Sequence, residues 1–262
     1  MQHKENQAIG KYREVLARPM SHDAYDRARE VAYISLLTIL DRRHELDGME
    51  ALYKQRIADF GPHDCYSSEY ARFMLQVRGD AQGAIDIARR GLDENCVGAP
   101  ARQVLGLAEY VKWATTSGPE QAESLSQARI YLPAGPMPLY LLARDERNGV
   151  AIKKLIATGE HIDELDSDRQ TALSYALRHG DLGATRRLLA LRANPDMLVG
   201  FEEIPVALLP VMQGNVEGVR LLREHGVNYS KLRYRGITAF DFARQNGDEK
   251  LLQALGHSET TL

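Results

Sequence analysis

One short pattern recurs in the second half of the chain at an almost constant interval. The segments 171–174 (TALS), 204–207 (IPVA) and 236–243 (GITAFDFA) correspond to one another, and their matching positions at 171, 204 and 238 lie 33 and 34 residues apart. Self-similarity at such a period is typical of repeat architectures, in which no unit can bury its apolar face alone. The recurrence therefore predicts that this part of the chain is a stack of small, similar units.

The copy that begins at residue 171 is the clearest, and its residues predict two helices. Thr171 can cap a first helix with its hydroxyl, and apolar residues of 173–177 follow at helical spacing. The pair 180–181 (GD) ends that helix and can cap the next, because glycine accepts a left-handed turn and aspartate accepts backbone hydrogen bonds. Leu188 and Leu189 are then the buried pair of the second helix.

Other copies surround this unit. Glycine followed by a helix-capping residue returns at 214–215 and 247–248, and a degraded first copy spans 137–159. The region 134–256 resembles the ankyrin repeat family, whose units recur about every 33 residues. The resemblance implies four stacked helix pairs with hairpin fingers between them. Its members bind other proteins through the finger tips and the adjoining first helices.

Two departures from the family pattern bear on this surface. Arg192 stands where glycine is usual, which makes that turn less ideal. Pro210 falls inside the first helix of the third copy, where it removes a backbone hydrogen bond. We therefore expect a kink or an altered first turn there, which would re-aim Met212 and Gln213.

Residues 1–132 are predicted to be helical throughout. The segments 66–75 and 84–92 flank a turn at 79–80 (GD), and small residues occur where two helices would cross closely. This arrangement resembles the tetratricopeptide repeat, which is a pair of helices in about 34 residues. A generic helical bundle is the alternative interpretation of the same pattern.

Together these patterns predict an all-α protein, a helical-repeat solenoid in which a tetratricopeptide-like array precedes an ankyrin repeat array. The predicted domains are 1–132 and 133–256, followed by a flexible tail at 257–262. The segment 132–136 (LPAGP) is predicted to be a short, stiff junction between the two domains.

Composition narrows the class of partner. The 262 residues carry 33 Lys and Arg against 36 Asp and Glu, a net charge of −3, and neither half contains a basic block. Nucleic acid is therefore a poor candidate partner. No apolar run approaches the length of a membrane span, so we expect no transmembrane segment.

The sequence contains no pattern that predicts catalysis or metal binding. None of the eight histidines lies four residues from another, and no phosphate-binding loop, dinucleotide fingerprint or nucleophile motif is present. The acidic run at 163–168 lacks the glycine and distal glutamate of a calcium loop. We therefore predict no catalytic residue, no metal ligand, no cofactor and no small-molecule substrate.

Cys65 and Cys96 would lie at neighbouring ends of one predicted helix pair, where a disulfide is sterically allowed. A bridge would imply an oxidising compartment, periplasmic or secreted, after removal of a signal peptide. Two free thiols in a reducing cytoplasm are the alternative, which the presence of only two cysteines narrowly favours.

The function predicted from the ankyrin resemblance is protein binding without catalysis. The size and the paired repeat types resemble bacterial adaptors and inhibitors, including immunity proteins that block a secreted toxin or enzyme. A structural or scaffolding protein in a signalling assembly is the alternative, and an enzyme is the least favoured class. Carried over from the family, the predicted partner-binding residues are Leu165, Asp168, Gln170, Arg178, His179, Leu198, Phe201, Glu203, Met212, Gln213, Leu232, Tyr234, Arg235, Ile237, Gln245 and Asn246.

Overall fold

The chain is mostly helical. Helical segments account for 71% of the described residues, which contain fifteen α-helices and four two-residue strands. The prediction of an all-α protein is confirmed at this level. The structure, a computed structural model, describes residues 2–19, 27–61, 66–93, 99–245 and 247–256. Several predicted features lie outside these ranges: Cys65, Cys96, Asn246 and the tail at 257–262.

The chain divides into two compact units, Met1–Ala108 and Glu109–Leu262. The division falls inside one helix, α6 (Ala99–Thr115), and the domain boundary predicted after Leu132 stays a prediction. The end of α6 groups with the residues that follow it, because the hydroxyl of Tyr110 donates to the carbonyl of Leu132 at 3.1 Å. This bond joins two segments that are 22 residues apart in the chain.

The described part of the first unit contains five complete helices and the beginning of α6, and each of the five packs against the next along the chain. The fourth continues into a π-helical turn, Met74–Arg78, which ends at Gly79 in a left-handed conformation (φ 71°). The turn predicted at 79–80 is therefore confirmed. The five helices are α1 (Gln2–Ala17), α2 (Arg27–Arg42), α3 (Leu46–Phe60), α4 (Tyr66–Phe73) and α5 (Ala81–Asp93).

Two buried arginines hold these helices together. Arg29 on α2 donates to the carbonyl of Leu16 at 2.8 Å and to the carboxylate of Asp59 at 3.0 Å, which joins α1, α2 and α3. Arg56 on α3 donates to Glu69 on α4 at 2.8 Å. Removing the partner of a buried charge costs free energy, more for Asp59, whose side chain is 21% exposed, than for Glu69, whose side chain is 53% exposed. These contacts therefore constrain how the helices cross.

The second unit continues with nine helices after α6. They are α7 (Pro119–Tyr131), α8 (Pro136–Ala143), α9 (Gly149–Ala157), α10 (Ala172–Arg178), α11 (Leu182–Ala190), α12 (Leu209–Met212), α13 (Val216–Glu224), α14 (Ala239–Gln245) and α15 (Glu249–Leu255). The last eight contact one another as consecutive pairs, from α8 with α9 to α14 with α15. Between pairs, α8, α10, α12 and α14 make contact in that order, and α13 contacts both α11 and α15.

Polar residues begin the helices at corresponding points of successive pairs. Thr171 and Ser174 cap α10 reciprocally, each backbone N–H donating to the other's hydroxyl, at 2.9 and 3.1 Å. The side chains of Asp181, Asn215 and Asp248 accept a backbone hydrogen bond at the starts of α11, α13 and α15. Such caps satisfy N–H groups that the first turn of a helix leaves unpaired. The caps predicted at Thr171 and Asp181 are confirmed.

Two short antiparallel hairpins connect pairs in the second unit. Strand β1 (Leu198–Val199) pairs with β2 (Ile204–Pro205), with Leu198 opposite Pro205. Strand β3 (Arg233–Tyr234) pairs with β4 (Ile237–Thr238), with Arg233 opposite Thr238. The second hairpin ends directly before α14, and the first is separated from α12 by three residues, so each tip lies close in sequence to the first helix of the next pair.

The chain around Pro210 departs from a simple helix, as predicted. A 3-10 turn, Val206–Leu208, precedes α12, and Pro210 sits near the start of that short helix. Proline is tolerated there because the first turn of an α-helix has no acceptor for the missing N–H. Arg192 also adopts the left-handed conformation, φ 68°, which is uncommon for a residue other than glycine.

Candidate protein-binding surface

Three loops carry most of the residues predicted to contact a partner. Each contains one non-glycine residue with left-handed backbone: Arg169 (φ 54°), Glu203 (φ 56°) and Arg235 (φ 49°). A non-glycine residue in this region is uncommon, and its strain is offset only where the surrounding structure holds it. We call these loops the first finger (163–170), the second finger (198–205) and the third finger (232–238).

The second finger projects two apolar side chains into solvent. Phe201 at its tip is 77% exposed and Leu198 on β1 is 44% exposed, whereas Val199 beside them is buried. Gly200 (φ 70°) and Glu203 give the four-residue loop its two left-handed positions. Burying a large apolar side chain contributes about 1.5–3 kcal/mol. An exposed pair such as Leu198 and Phe201 is therefore a candidate contact for another molecule.

The third finger is a tight hairpin whose two central residues, Arg235 and Gly236, both have positive φ. This is the type I′ turn, whose twist matches that of the flanking strands. The guanidinium of Arg235 lies 5.0 Å from the centre of the Tyr234 ring, and the hydroxyl of Tyr234 donates to Glu202 at 3.4 Å. Tyr234 is therefore half-buried and partly committed to contacts within the protein, unlike Phe201.

The first finger is organised around the carboxylate of Asp166. This group accepts hydrogen bonds from the backbone N–H of Asp168 at 3.0 Å, from that of Gln170 at 2.8 Å and from the hydroxyl of Tyr175 at 2.6 Å. Burial, reinforced by the bond to Asp166, raises the pKa of Tyr175 well above its usual range. The acidic run of this loop thus includes one carboxylate that shapes the loop itself.

Neighbouring fingers are joined to one another. The backbone N–H of Gly200 donates to the carbonyl of Arg169 at 2.7 Å. The guanidinium of Arg169 lies 3.6 Å from Glu203, and that of Arg235 lies 3.9 Å from Glu202. Both ion pairs are largely exposed, and such pairs contribute about 0–1 kcal/mol. The main-chain bond is therefore the firmer constraint on the second finger.

The ends of the first helices place further side chains beside the fingers. Arg178 and His179, at the end of α10, are exposed, and the side chain of Gln213 donates to the carbonyl of Arg178 at 3.1 Å. Met212 on α12 is 39% exposed. The ring of His179 stacks on that of Tyr140, with centroids 5.6 Å apart and planes 7° apart. The helices α8, α10 and α12 thus contribute to one connected set of side chains.

The predicted residues differ in how far they reach solvent. The half-buried ones are Leu165, Gln170, Leu232, Tyr234 and Ile237. The second finger therefore has apolar side chains that face solvent, whereas the three apolar or aromatic side chains of the third finger are half-buried. The exposed ones are Asp168, Arg178, His179, Leu198, Phe201, Glu203, Met212, Gln213, Arg235 and Gln245. Whether each contacts a partner stays a prediction.

The sequence analysis missed three contributors to this region. The rings of Tyr140 and Tyr175 stack with centroids 5.9 Å apart. The ring of Tyr140 also stacks on that of His179. The two tyrosines are 35 residues apart in the chain, close to the repeat period, which was the available signal. Glu202, which accepts from Tyr234, was passed over because charged residues at a loop tip are unremarkable in sequence.

No protein-family model matches this chain. Within the described ranges, no group of three or more His, Cys, Asp or Glu side chains could hold a metal ion. No helix among the residues that the structure describes is long and apolar enough to cross a membrane. The case for a binding surface therefore depends on the geometry of the fingers and the adjoining helix ends.

Proposed function

We propose that this protein binds another protein through its fingers and the adjoining ends of the first helices, and that it does so without catalysis. One observation carries the proposal: Phe201 is 77% exposed on a hairpin whose main chain is bonded to the preceding finger. Binding energy at interfaces is concentrated in a few residues, and aromatic side chains are prominent among them. A tip that is already held in place loses little conformational entropy on binding.

The repeat interpretation belongs to the same proposal. Residues 133–256 would form an ankyrin-like array of four helix pairs, and 1–132 a tetratricopeptide-like array, together a helical solenoid. The contacts of α8, α10, α12 and α14 in order, the matching caps and the two hairpins support the first of these. The contact of each helix with the next in the first unit supports the second.

Within protein binding, the role we propose is that of an adaptor or an inhibitor. An immunity protein that blocks a secreted bacterial toxin or enzyme is a specific form of this role. The link to immunity proteins rests on fold-level analogy of size and repeat types. A stable complex buries about 800 Å² on each partner. The three fingers and the adjoining helix ends would form the centre of such an interface.

The test combines co-purification with calorimetry. Tagged wild-type protein is used to isolate partners from the source cells, and each identified partner is then titrated with three variants. Phe201→Ala and Tyr234→Ala should each weaken binding at least tenfold, a loss of about 1.4 kcal/mol. Glu217→Ala is the control. Glu217 is exposed on α13, and its carboxylate forms an ion pair, at 2.6 Å, with the guanidinium of Arg220 on the same helix.

Two results would contradict this surface. Binding that survives both finger variants but is lost in Glu217→Ala would place the contact on the second helices. Loss of binding together with a large fall in melting temperature for Phe201→Ala would show that the tip is structural. Either result removes the observation on which the proposal rests.

A further inference from the structure

The first unit contains a partly enclosed cavity of about 270 Å³ between α3, α4 and α5. This volume is near the lower end of the range of roughly 300–1,000 Å³ that is usual for small-molecule sites. A ligand of the size of one amino-acid residue would therefore fill much of it. The cavity is lined by Lys54, Ile57, Ser67, Tyr70, Ile87 and Arg90.

The polar side chains of this lining can all donate hydrogen bonds, and none of them is acidic. Lys54 and Arg90 are exposed and stand at the mouth, whereas Tyr70 and Ser67 are buried deeper. Ser67 is only 3% exposed and lines the cavity together with the two cations. A lining in which every polar side chain can donate a hydrogen bond, and none is acidic, suits a ligand that carries hydrogen-bond acceptors.

The local charge favours an anion with a single negative charge. The ammonium of Lys54 lies 2.7 Å from the carboxylate of Glu50, which is shared with Arg78 at 2.9 Å. The Nε of Arg90 donates to the carbonyl of Asp86 in its own helix at 3.2 Å, and no carboxylate within the described ranges pairs with its guanidinium. One cation is therefore only partly neutralised and the other is free for a ligand. A doubly charged phosphate would be repelled by the nearby Glu50.

The remaining lining is apolar. The side chains of Ile57 and Ile87 form this part, and Ile87 is buried. The ring of Tyr70 is fixed by stacking on Tyr53, with centroids 5.6 Å apart. A short hydrocarbon chain placed here would gain about 0.8 kcal/mol for each buried CH₂ group. The ligand should therefore carry an aliphatic group beside its charge.

Close packing of α4 and α5 keeps the cavity in shape. At Gly91 an added Cβ would lie 2.8 Å from the Cβ of Ser67, which is too near for two carbon atoms. Glycine at this position therefore lets α5 approach α4 directly at the buried serine. The side chain of Ser67 is thus held by helix packing before any ligand arrives, which reduces the entropy lost on binding.

We propose that this cavity binds a carboxylate that carries a short aliphatic chain. Arg90 and Lys54 hold the carboxylate at the mouth, Ser67 donates to it from below, and Ile57 and Ile87 enclose the chain. Two sources share this chemistry: a free branched-chain carboxylic acid, and the C-terminal residue of a polypeptide that ends in an aliphatic amino acid.

The experiment uses the full chain and named probes, with binding followed by heteronuclear NMR and calorimetry. Isocaproate tests the free acid, and acetyl-Gly-Gly-Leu with a free carboxylate tests the chain terminus. Isocaproamide and the amidated peptide are the matched neutral controls, and inorganic phosphate tests for unspecific anion binding. Both acids should shift the resonances of Ser67, Tyr70 and Arg90, and the neutral forms should not.

Variants locate the site. Arg90→Gln should weaken binding of the acids at least tenfold, and Ser67→Ala should weaken it severalfold. Arg89→Gln is the matched control, because Arg89 is its exposed neighbour on α5 and does not line the cavity. If the peptide binds at least tenfold more tightly than isocaproate, a chain terminus is the source, and if the two are equal, it is the free acid.

Three results would overturn the proposal. The first is that isocaproamide binds as well as isocaproate, because the charge would then be irrelevant. The second is that phosphate binds as tightly as the acids, because the aliphatic contacts would contribute nothing. The third is that neither acid binds at millimolar concentration, or that Arg89→Gln loses as much affinity as Arg90→Gln.

Discussion

The backbone N–H of Gly200 donates a hydrogen bond to the carbonyl of Arg169 across 2.7 Å, so the second finger is fastened to the first through the main chain. Both residues have left-handed backbones, with φ of 70° and 54°. Residues other than glycine rarely adopt that conformation. The bond therefore stabilises a backbone conformation that the local sequence alone would not favour. The exposed ion pairs around it should matter less.

Substitutions at Glu203 separate backbone strain from charge pairing. Glu203→Gln removes the charge that lies 3.6 Å from Arg169, and we expect it to lower the free energy of unfolding by less than about 1 kcal/mol. Glu203→Val places a β-branched residue at φ 56° and should cost about 1–3 kcal/mol. Urea unfolding of both variants measures the difference. An equal loss in the two would mean that the ion pair, not the backbone, is the sensitive feature.

Truncation of Phe201 should leave the fold intact. Phe201 is 77% exposed, so Phe201→Ala removes little buried surface, and its melting temperature should match that of the wild type. Leu173→Ala, at a fully buried position of α10, should instead lower the free energy of unfolding by about 2–5 kcal/mol. Thermal unfolding of both proteins tests the contrast. Similar losses would show that Phe201 packs against the protein in solution.

The reciprocal cap at the start of α10 should contribute measurably to stability. Thr171→Val keeps the shape of the side chain but removes the oxygen that accepts from the backbone N–H of Ser174 at 3.1 Å. The expected loss is about 0.5–2 kcal/mol, seen as a lower urea midpoint. Thr115→Val is the control, because the exposed hydroxyl of Thr115 only donates to carbonyls of its own helix. A control variant as unstable as Thr171→Val would refute a special role for the cap.

Stability should fall at alkaline pH partly through Tyr110. Burial, with the charge of Glu160 acting in the same direction, raises the pKa of Tyr110 from 10.0 to about 12. The folded protein therefore keeps this proton while the unfolded chain releases it. Its contribution is fully present below about pH 10 and is lost as the pH rises towards 12.

Tyr110→Phe tests this dependence. Removing the hydroxyl, which donates to the carbonyl of Leu132 at 3.1 Å, should lower stability near neutral pH by about 1 kcal/mol. In the alkaline range the free energy of unfolding of the variant should fall less steeply with pH than that of the wild type. The difference in slope should correspond to at most about one proton. Urea unfolding across pH 9–12 gives that slope. An unchanged slope would mean that Tyr110 ionises equally in both states.

Much of the local structure was predictable because its causes lie within a few residues of one another. Thr171 caps α10 through Ser174, three positions away, and Asp181 caps α11 through the N–H of Ala184. Gly79 ends its helical segment because it alone there accepts positive φ without a side-chain clash. The disturbed start of α12 followed from the chemistry of Pro210.

The character of the surface, in contrast, depended on contacts between distant segments. Phe201 and Tyr234 occupy similar places in successive fingers, and sequence gave no ground to distinguish them. Only the folded chain brings Tyr234 to Glu202, 32 residues earlier, which half-buries one ring while the other stays in solvent.

The same holds for the unit boundary and for the cavity. The bond from Tyr110 to Leu132 spans 22 residues, and the cavity is formed by side chains from Lys54 to Arg90. Sequence by itself determined where helices begin, end and turn, because hydrogen bonds within a few residues decide those points. Tertiary structure decided which side chains are exposed, paired or gathered around a cavity, because those properties depend on how separate helices pack.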